Sequence, residues 1–288
     1  MRLTKALQYG TSLMLFTCAC GGDDADDDTG ASASDDTTGD PTGDPTGDPT
    51  GDPTGESSSG DEASTTDPDS TGGGAVAQIR VLHLGVNAPG VDVFANGEGP
   101  VFSGLEFRNS TAYAEVPAAD YTFQVSVAGT GPDEAVLAPE LTLDADTFYT
   151  AVAIGDLEMT DGAPGLQAIA LVDDPNGIDA ANVRITVIHA APAVGQVDIW
   201  EVSDPENPVA LLEDVDFGVS ATLPDIPAGP IEVGVDVDDD AQPDLTFSVD
   251  TTPLGGAQIN AFANNDGDGN VALVAQLPDG TVLPIAPN

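Results

Sequence analysis

The chain has 288 residues, 50 of them acidic and only 5 basic, for a formal charge of −45. Such a surface repels phosphate backbones and anionic headgroups, which excludes nucleic-acid and phosphoryl ligands and favours cations as small partners. The length suits one or two domains.

The first residues, MRLTKALQYGTSLMLFTCAC, read as an export signal. Arg2 and Lys5 supply its positive start and Ala6 to Phe16 its apolar run. That run is too short to span a bilayer, which needs ~20 apolar residues. Ala19-Cys20-Gly21-Gly22 has the form of a lipoprotein cleavage site, predicting a signal over 1–19 and a lipid on Cys20. Leu15-Phe16-Thr17-Cys18 is the alternative register. The expected location is the outer membrane or cell surface, the periplasmic side remaining open, with the membrane as first partner. No further cysteine follows, so no disulfide within the exported fold is expected despite an oxidising compartment.

Residues 20–75 carry no aromatic or branched aliphatic residue and hold sixteen acidic side chains. Nothing there can form a core, so the segment is expected to be disordered. Its Thr-Gly-Asp-Pro repeats make an acidic stalk with a coil dimension of roughly 40 Å. It is also rich in threonine and serine, candidates for glycosylation.

From Val76 the texture changes. Short runs rich in β-branched residues, such as QIRVLHL, VDVFA, YTFQVSVA and FYTAVAIG, alternate with Gly, Pro, Asp and Asn clusters. Many of the runs alternate with period two, as half-buried strands do. The second half repeats the first. IRVLHLGVNAPGVDVF aligns with ITVIHAAPAVGQVDIW, EVPAADYTFQVSV with DIPAGPIEVGVDV, and the run beginning at Phe148 with that beginning at Gln258. The expectation is an all-β chain: two tandem immunoglobulin-like antiparallel β-sandwich modules of ~100 residues each, over 76–178 and 179–288.

Both copies resemble a domain-of-unknown-function family, DUF4397. Its signature runs roughly Val-His-Ala-Ser-Pro-Asp-Ala-Pro-x-Val-Asp-Val-Tyr. The first copy keeps His83, Pro89, Val91, Asp92 and Val93, with Phe94 for the tyrosine. The second keeps His189, Ala190, Pro192, Val197 and Asp198, with Trp200 at the aromatic place. Val116-Pro117-Ala118 with Tyr121, and Ile226-Pro227-Ala228-Gly229, match a middle motif, and Tyr149 to Gly155 a later strand. The resemblance implies an exported sandwich domain and no particular activity.

Two sets of residues are candidates for chemistry. The pairs His83/Asp92 and His189/Asp198 have the residue types of a metal-ligand pair or an oriented general base. They equally suit a loop pinned to a sheet, the favoured reading because scaffold is copied with the fold. Asp236, Asp238, Asp240 and Asp244 follow a D-x-D-x-D-x-x-x-D spacing, which suits the oxygen-rich shell of Ca²⁺. Ala241 stands where such loops usually carry glycine, and Phe247 where an EF-hand has its closing glutamate. A solvated acidic turn is the competing reading. Asn264 to Asn270 has only partial spacing and suits a hairpin turn. Phe94, Tyr121, Phe123, Tyr149 and Trp200 are expected to fill cores, and Arg80 and Arg184 to form structural ion pairs. No serine elbow and no lysine follow the signal. The expected role is therefore non-catalytic binding, adhesion or envelope structure, with a protein or glycan ligand. A hydrolase built on carboxylates is the alternative.

Overall fold

The computed structural model describes residues 14–15 and 74–288, apart from 239, 267 and 268. Cys18, Cys20 and the stalk lie outside the described residues. A two-residue strand, β1 (Met14–Leu15), pairs antiparallel with Ile169 and Ala170.

Eight strands build the first sandwich. They are β2 (Val76–His83), β3 (Val91–Ala95), β4 (Glu98–Leu105), β5 (Ala114–Pro117), β6 (Asp120–Val127), β7 (Glu140–Thr142), β8 (Phe148–Ile154) and β9 (Gln167–Asp173). One sheet runs β9-β8-β2-β5 and the other β4-β3-β6-β7. The second sandwich uses β10 (Asn182–Ala190), β11 (Val197–Glu201), β12 (Val209–Val215), β13 (Ser220–Thr222), β14 (Ile226–Pro227), β15 (Pro230–Asp236), β16 (Leu245–Asp250), β17 (Gln258–Asn265), β18 (Val271–Gln276) and β19 (Val282–Ile285). Its sheets run β13-β10-β17-β18-β19, with β14 also on β10, and β12-β11-β15-β16. The two topologies correspond strand for strand, β13 and β14 together standing for β5, and β19 being the addition.

All-β sandwiches are thus what the alternating runs encode. One ladder in each departs from the antiparallel pattern. β2 runs parallel to β8, and β10 parallel to β17, in the same register relative to their histidines. A parallel pair needs a long crossover, and here the crossover is the entire opposite sheet.

The sandwich interiors use one face of each strand. Ile79, Val81, Val93, Phe123, Leu141 and Tyr149 are buried in the first core. Val183, Ile185, Ile199, Val235, Phe247 and Ile259 are buried in the second. The other face of the β2 and β10 sheets is buried as well. Leu82, Leu84, Val152, Ile154, Ile169 and Leu171 of the first sandwich form a third cluster with Ile188, Ala190, Phe262 and Val274 of the second. The two modules therefore pack sheet against sheet. This explains why VLHL, VIHA and ALVAQ read as near-continuous apolar runs: strands covered on both faces lose the alternation.

Beside this apolar patch lies a buried polar one. Arg80, 1% exposed, donates from Nε to Thr150 Oγ1 at 2.8 Å and from Nη1 to the Leu277 carbonyl at 2.8 Å. Its Nη2 lies 3.5 Å from Asp173 Oδ2, and its guanidinium sits 4.5 Å over the Tyr113 ring. Asn260 Nδ2 donates to Asp173 Oδ1 at 3.0 Å, and Gln276 Nε2 to Ser110 Oγ at 2.6 Å. Gly280 closes the same side. Its φ of +87° favours glycine, and a Cβ there would lie 2.5 Å from the Thr111 carbonyl of the first sandwich.

Candidate functional site

The two histidines sit at the ends of β2 and β10, side chains turned into their own sandwiches. His83 Nδ1 accepts the Gly85 amide at 3.2 Å, and Nε2 pairs with the Pro89 carbonyl at 3.1 Å. His189 repeats this with the Ala191 amide at 3.3 Å and the Gly195 carbonyl at 2.6 Å. An accepting Nδ1 and a donating Nε2 define one neutral tautomer. Burial lowers both imidazole pKa values below the ordinary histidine value, against smaller opposing contributions from the loop carbonyls and from Glu106 and Asp216. Each ring also meets a phenylalanine edge-on, Phe107 at 6.2 Å and Phe217 at 5.9 Å.

The aspartates nine residues on anchor different backbone. Asp92 accepts the Gly104 amide at 2.7 Å and the Gly129 amide at 2.8 Å. Those bonds, Gly129 first, hold its carboxyl below the usual value. Asp198 accepts the Asp214 amide at 2.7 Å. His83 and Asp92 thus bind separate stretches of backbone. In each sandwich the histidine holds the loop that follows it and the aspartate holds the adjacent strand, β4 at Gly104 or β12 at Asp214.

The aspartate loop follows β15. Asp236, Asp238 and Asp244 bring one carboxylate oxygen each within 4.8 Å of the others, while Asp240 falls outside that group. Asp240 Oδ1 accepts the Gln242 amide at 2.9 Å, closing a local turn. Asp236 Oδ1 accepts the Asp238 amide at 3.1 Å and Asp244 Oδ2 the Val237 amide at 2.8 Å. Asp244 first, then desolvation and the other two aspartates, raise the Asp238 carboxyl above its ordinary value. Ala241 adopts φ +63°, the left-handed conformation that glycine accepts without cost. Three carboxylates fall short of the 6–8 oxygens that Ca²⁺ takes unless water and carbonyls complete the shell. The Asn264–Asn270 loop is a hairpin turn. The Asp266 amide reaches the Asn270 carbonyl at 2.8 Å and Asp266 Oδ1 accepts the Asn270 amide at 2.9 Å.

The ladders also show how the second module differs. Asp92 stands opposite Ser126 on β6, whereas Asp198 stands opposite Asp236 on β15. The position that is a serine in one copy is the first aspartate of the acidic loop in the other. Spacing alone did not connect the duplicated motif with that loop; the repeat alignment does.

The loops held by the histidines come together between the modules. Val86 and Asn87 from the first, and Pro192 to Val194 from the second, line a cleft of about 670 Å³ with Asp156, Asp161, Asn265 and Asp266. Asp156 accepts Asn87 Nδ2, the Glu158 amide and the Thr160 amide, each at 2.9 Å. Burial works to raise its carboxyl, but these bonds outweigh it and hold the group below the usual value. The Ala193 amide donates to Asn265 Oδ1 at 2.9 Å, tying the second histidine loop to the cleft wall.

Arg80, Arg108 and Arg184 each hold a main-chain carbonyl or a carboxylate. Arg80 reaches the Leu277 carbonyl and Arg108 the Asn265 carbonyl at 3.1 Å, both across the module boundary. Arg184 holds Asp225 at 2.9 Å and Asp174 at 2.7 Å. Of the aromatics, Phe94, Phe123 and Tyr149 are buried, and Tyr121 stacks on Phe123 at 5.4 Å between centroids. Trp200 is half-buried, and its buried indole N–H has no hydrogen-bond partner.

Residues 77–200 match the family described as a domain of unknown function, DUF4397, and the chain carries a domain of that family. The match covers the first sandwich and the first two strands of the second, so it includes both His…Val-Asp motifs. No curated protein matches the chain. Among solved structures, the chain is similar at 11% identity to a streptococcal protein described under "Alpha-glucan recognition by family 41 carbohydrate-binding modules from streptococcal virulence factors". That alignment covers 68% of this chain and 96% of the other, with a TM-score of 0.23.

Proposed function

We propose that this is an exported, lipid-anchored envelope protein whose paired sandwiches bind a ligand without transforming it. The observation that carries this reading is the use of the duplicated motif. Both nitrogens of each histidine are engaged by the loop that follows, and the loops so held converge from both modules on one polar cleft. A proton-transfer site needs a group free to exchange its proton. At the cleft, the carboxylate alternative needs an acid whose pKa is raised, and Asp156 is shifted the other way. The cleft carries Asp156, Asp161 and Asp266, which supports a neutral or basic polar ligand, on a protein or a glycan.

The anchor is Cys20 and the stalk a spacer. Replacing Cys20 with serine in the full chain should abolish palmitate labelling and move the protein out of the membrane fraction. Unchanged labelling would transfer the anchor to Cys18. For the cleft, Asn87→Trp should fill the space between the modules. Retained interaction with whole-envelope extracts in that variant would move the binding surface elsewhere, and chemical conversion of any retained ligand would sink the non-catalytic reading.

A further inference from the structure

The same register that matches the two sandwiches exposes a difference in their interiors. In the first, the space between the sheets is nearly filled, leaving about 40 Å³. In the second, the corresponding space is a cavity of about 540 Å³. The ladder partners explain it. Tyr121 faces Leu141 across β6 and β7, and the equivalent pair on β15 and β16 is Ile231 with Val249. Phe123 corresponds to Val233, and Tyr149, beside Ile79, to Ile259 beside Ile185. At the Tyr121, Phe123, Leu141 and Tyr149 positions the second copy carries the smaller side chain, while Phe247, opposite Val233, is the aromatic it keeps in this core.

The cavity opens to solvent, with the exposed Ser248, Asp250 and Leu283 at its edge. It falls within the ~300–1,000 Å³ range of ligand pockets. Its walls are aliphatic and its charged lining consists of Glu201, Glu232 and Asp250, with no basic residue. Glu201 stands opposite Val233, on the inward parity, whereas Glu232 and Asp250 alternate to the other face, where Glu232 meets Ser248 Oγ at 2.7 Å and Asn288 Nδ2 at 3.1 Å. An anionic head would meet the Glu201 carboxylate with no basic residue in the lining to offset it. We infer that the second sandwich is a binding site for an elongated, largely hydrocarbon molecule whose polar end is neutral or cationic. This rests on the reading of the protein as a non-catalytic binder and adds a second site, distinct from the cleft between the modules.

The test is calorimetric titration of the purified full chain with dodecylamine, dodecanol and dodecanoate, each below its aggregation concentration. The amine and the alcohol should bind one to one, and the carboxylate at least tenfold more weakly. Val233→Phe and Ile259→Phe restore the bulk found at Phe123 and Tyr149. Either should weaken amine binding more than tenfold while melting at or above the wild-type temperature, which separates a filled pocket from a failed fold. No binding of any probe to the wild type, equal affinity for all three, or full affinity in both folded filler variants would each overturn the inference. Asn87→Trp should leave amine binding unchanged, so failure at the cleft and failure at the cavity are read separately.

Discussion

Arg80 of the first sandwich donates to the main-chain carbonyl of Leu277 in the second at 2.8 Å, from a position 1% exposed. The same side chain bonds Thr150, lies beside Asp173 and covers the Tyr113 ring. Asp173 in turn accepts Asn260 of the second module. Removing one member of a buried charged network leaves its partner uncompensated, at a cost of about 3–5 kcal/mol. Arg80→Met should therefore lower the denaturation midpoint strongly. Adding Asp173→Asn should recover a large part of the loss, because the stranded charge goes with it. A double variant as unstable as the additive expectation would show that Arg80 acts by packing alone.

The interface bears equally on the modules taken separately. Nine large side chains meet there, including Leu82, Ile154, Ile188 and Phe262. At ~1.5–3 kcal/mol for each buried side chain, the gross contribution matches or exceeds the ~5–15 kcal/mol net stability of a domain. Residues 74–178 and 179–288 expressed apart should each expose a contiguous apolar sheet face and self-associate. Mixed, they should recombine into a heterodimer detectable by light scattering. Two monomeric, non-interacting halves would refute this.

Much of the fold is legible because strand alternation is a local property. The pattern in YTFQVSV encodes β6, and VDVF and VDIW encode β3 and β11. The inter-module face is harder to read, since VLHL and ALVAQ carry apolar residues at both parities and so do not say what covers the second face. The parallel ladders leave no local signature at all. The candidate sites divide in the same way. The aspartate spacing brings three of its four members together, but Asp240 turns instead to the Gln242 amide. The cavity did have a signal. Aligning EVPAADYTFQVSV with DIPAGPIEVGVDV already sets Tyr121 and Phe123 against Ile231 and Val233. Its meaning depends on knowing that those positions face the interior.

The histidines give a pH dependence whose sign follows from their burial. Both imidazole pKa values are lowered in the folded state, so the unfolded chain binds protons first as pH falls. Their stabilising contribution is present above the unfolded value of about 6.5 and is lost as pH falls from there through the folded value. The slope is at most about 1.4 kcal/mol per pH unit for each histidine. Thermal unfolding between pH 7.5 and 5.5, where most carboxylates stay ionised, should show a falling midpoint. His83→Gln should be less stable at pH 7.5 and should have a shallower slope. An unchanged slope in that variant would assign the pH response to other groups.

At the aspartate loop the direction is the opposite. The Asp238 carboxyl is raised, chiefly by Asp244 and then by desolvation and its other acidic neighbours. A carboxyl raised in the folded state favours folding only below the unfolded value and opposes it as pH rises through the folded one. At neutral pH and without divalent cations, Asp238→Asn should therefore raise the melting temperature. Added Ca²⁺ should relieve the same repulsion in the wild type, and by less in the variant. Ionic strength must be matched with NaCl, since a chain of charge −45 responds to any salt. A rise with Ca²⁺ beyond that with Mg²⁺, lost in Asp238→Asn, assigns the loop to a cation shell completed by water and main-chain oxygens. Equal rises with both ions leave only charge relief, because three exchangeable carboxylates without fixed geometry do not discriminate between an ion taking 6–8 oxygens and one demanding an octahedron.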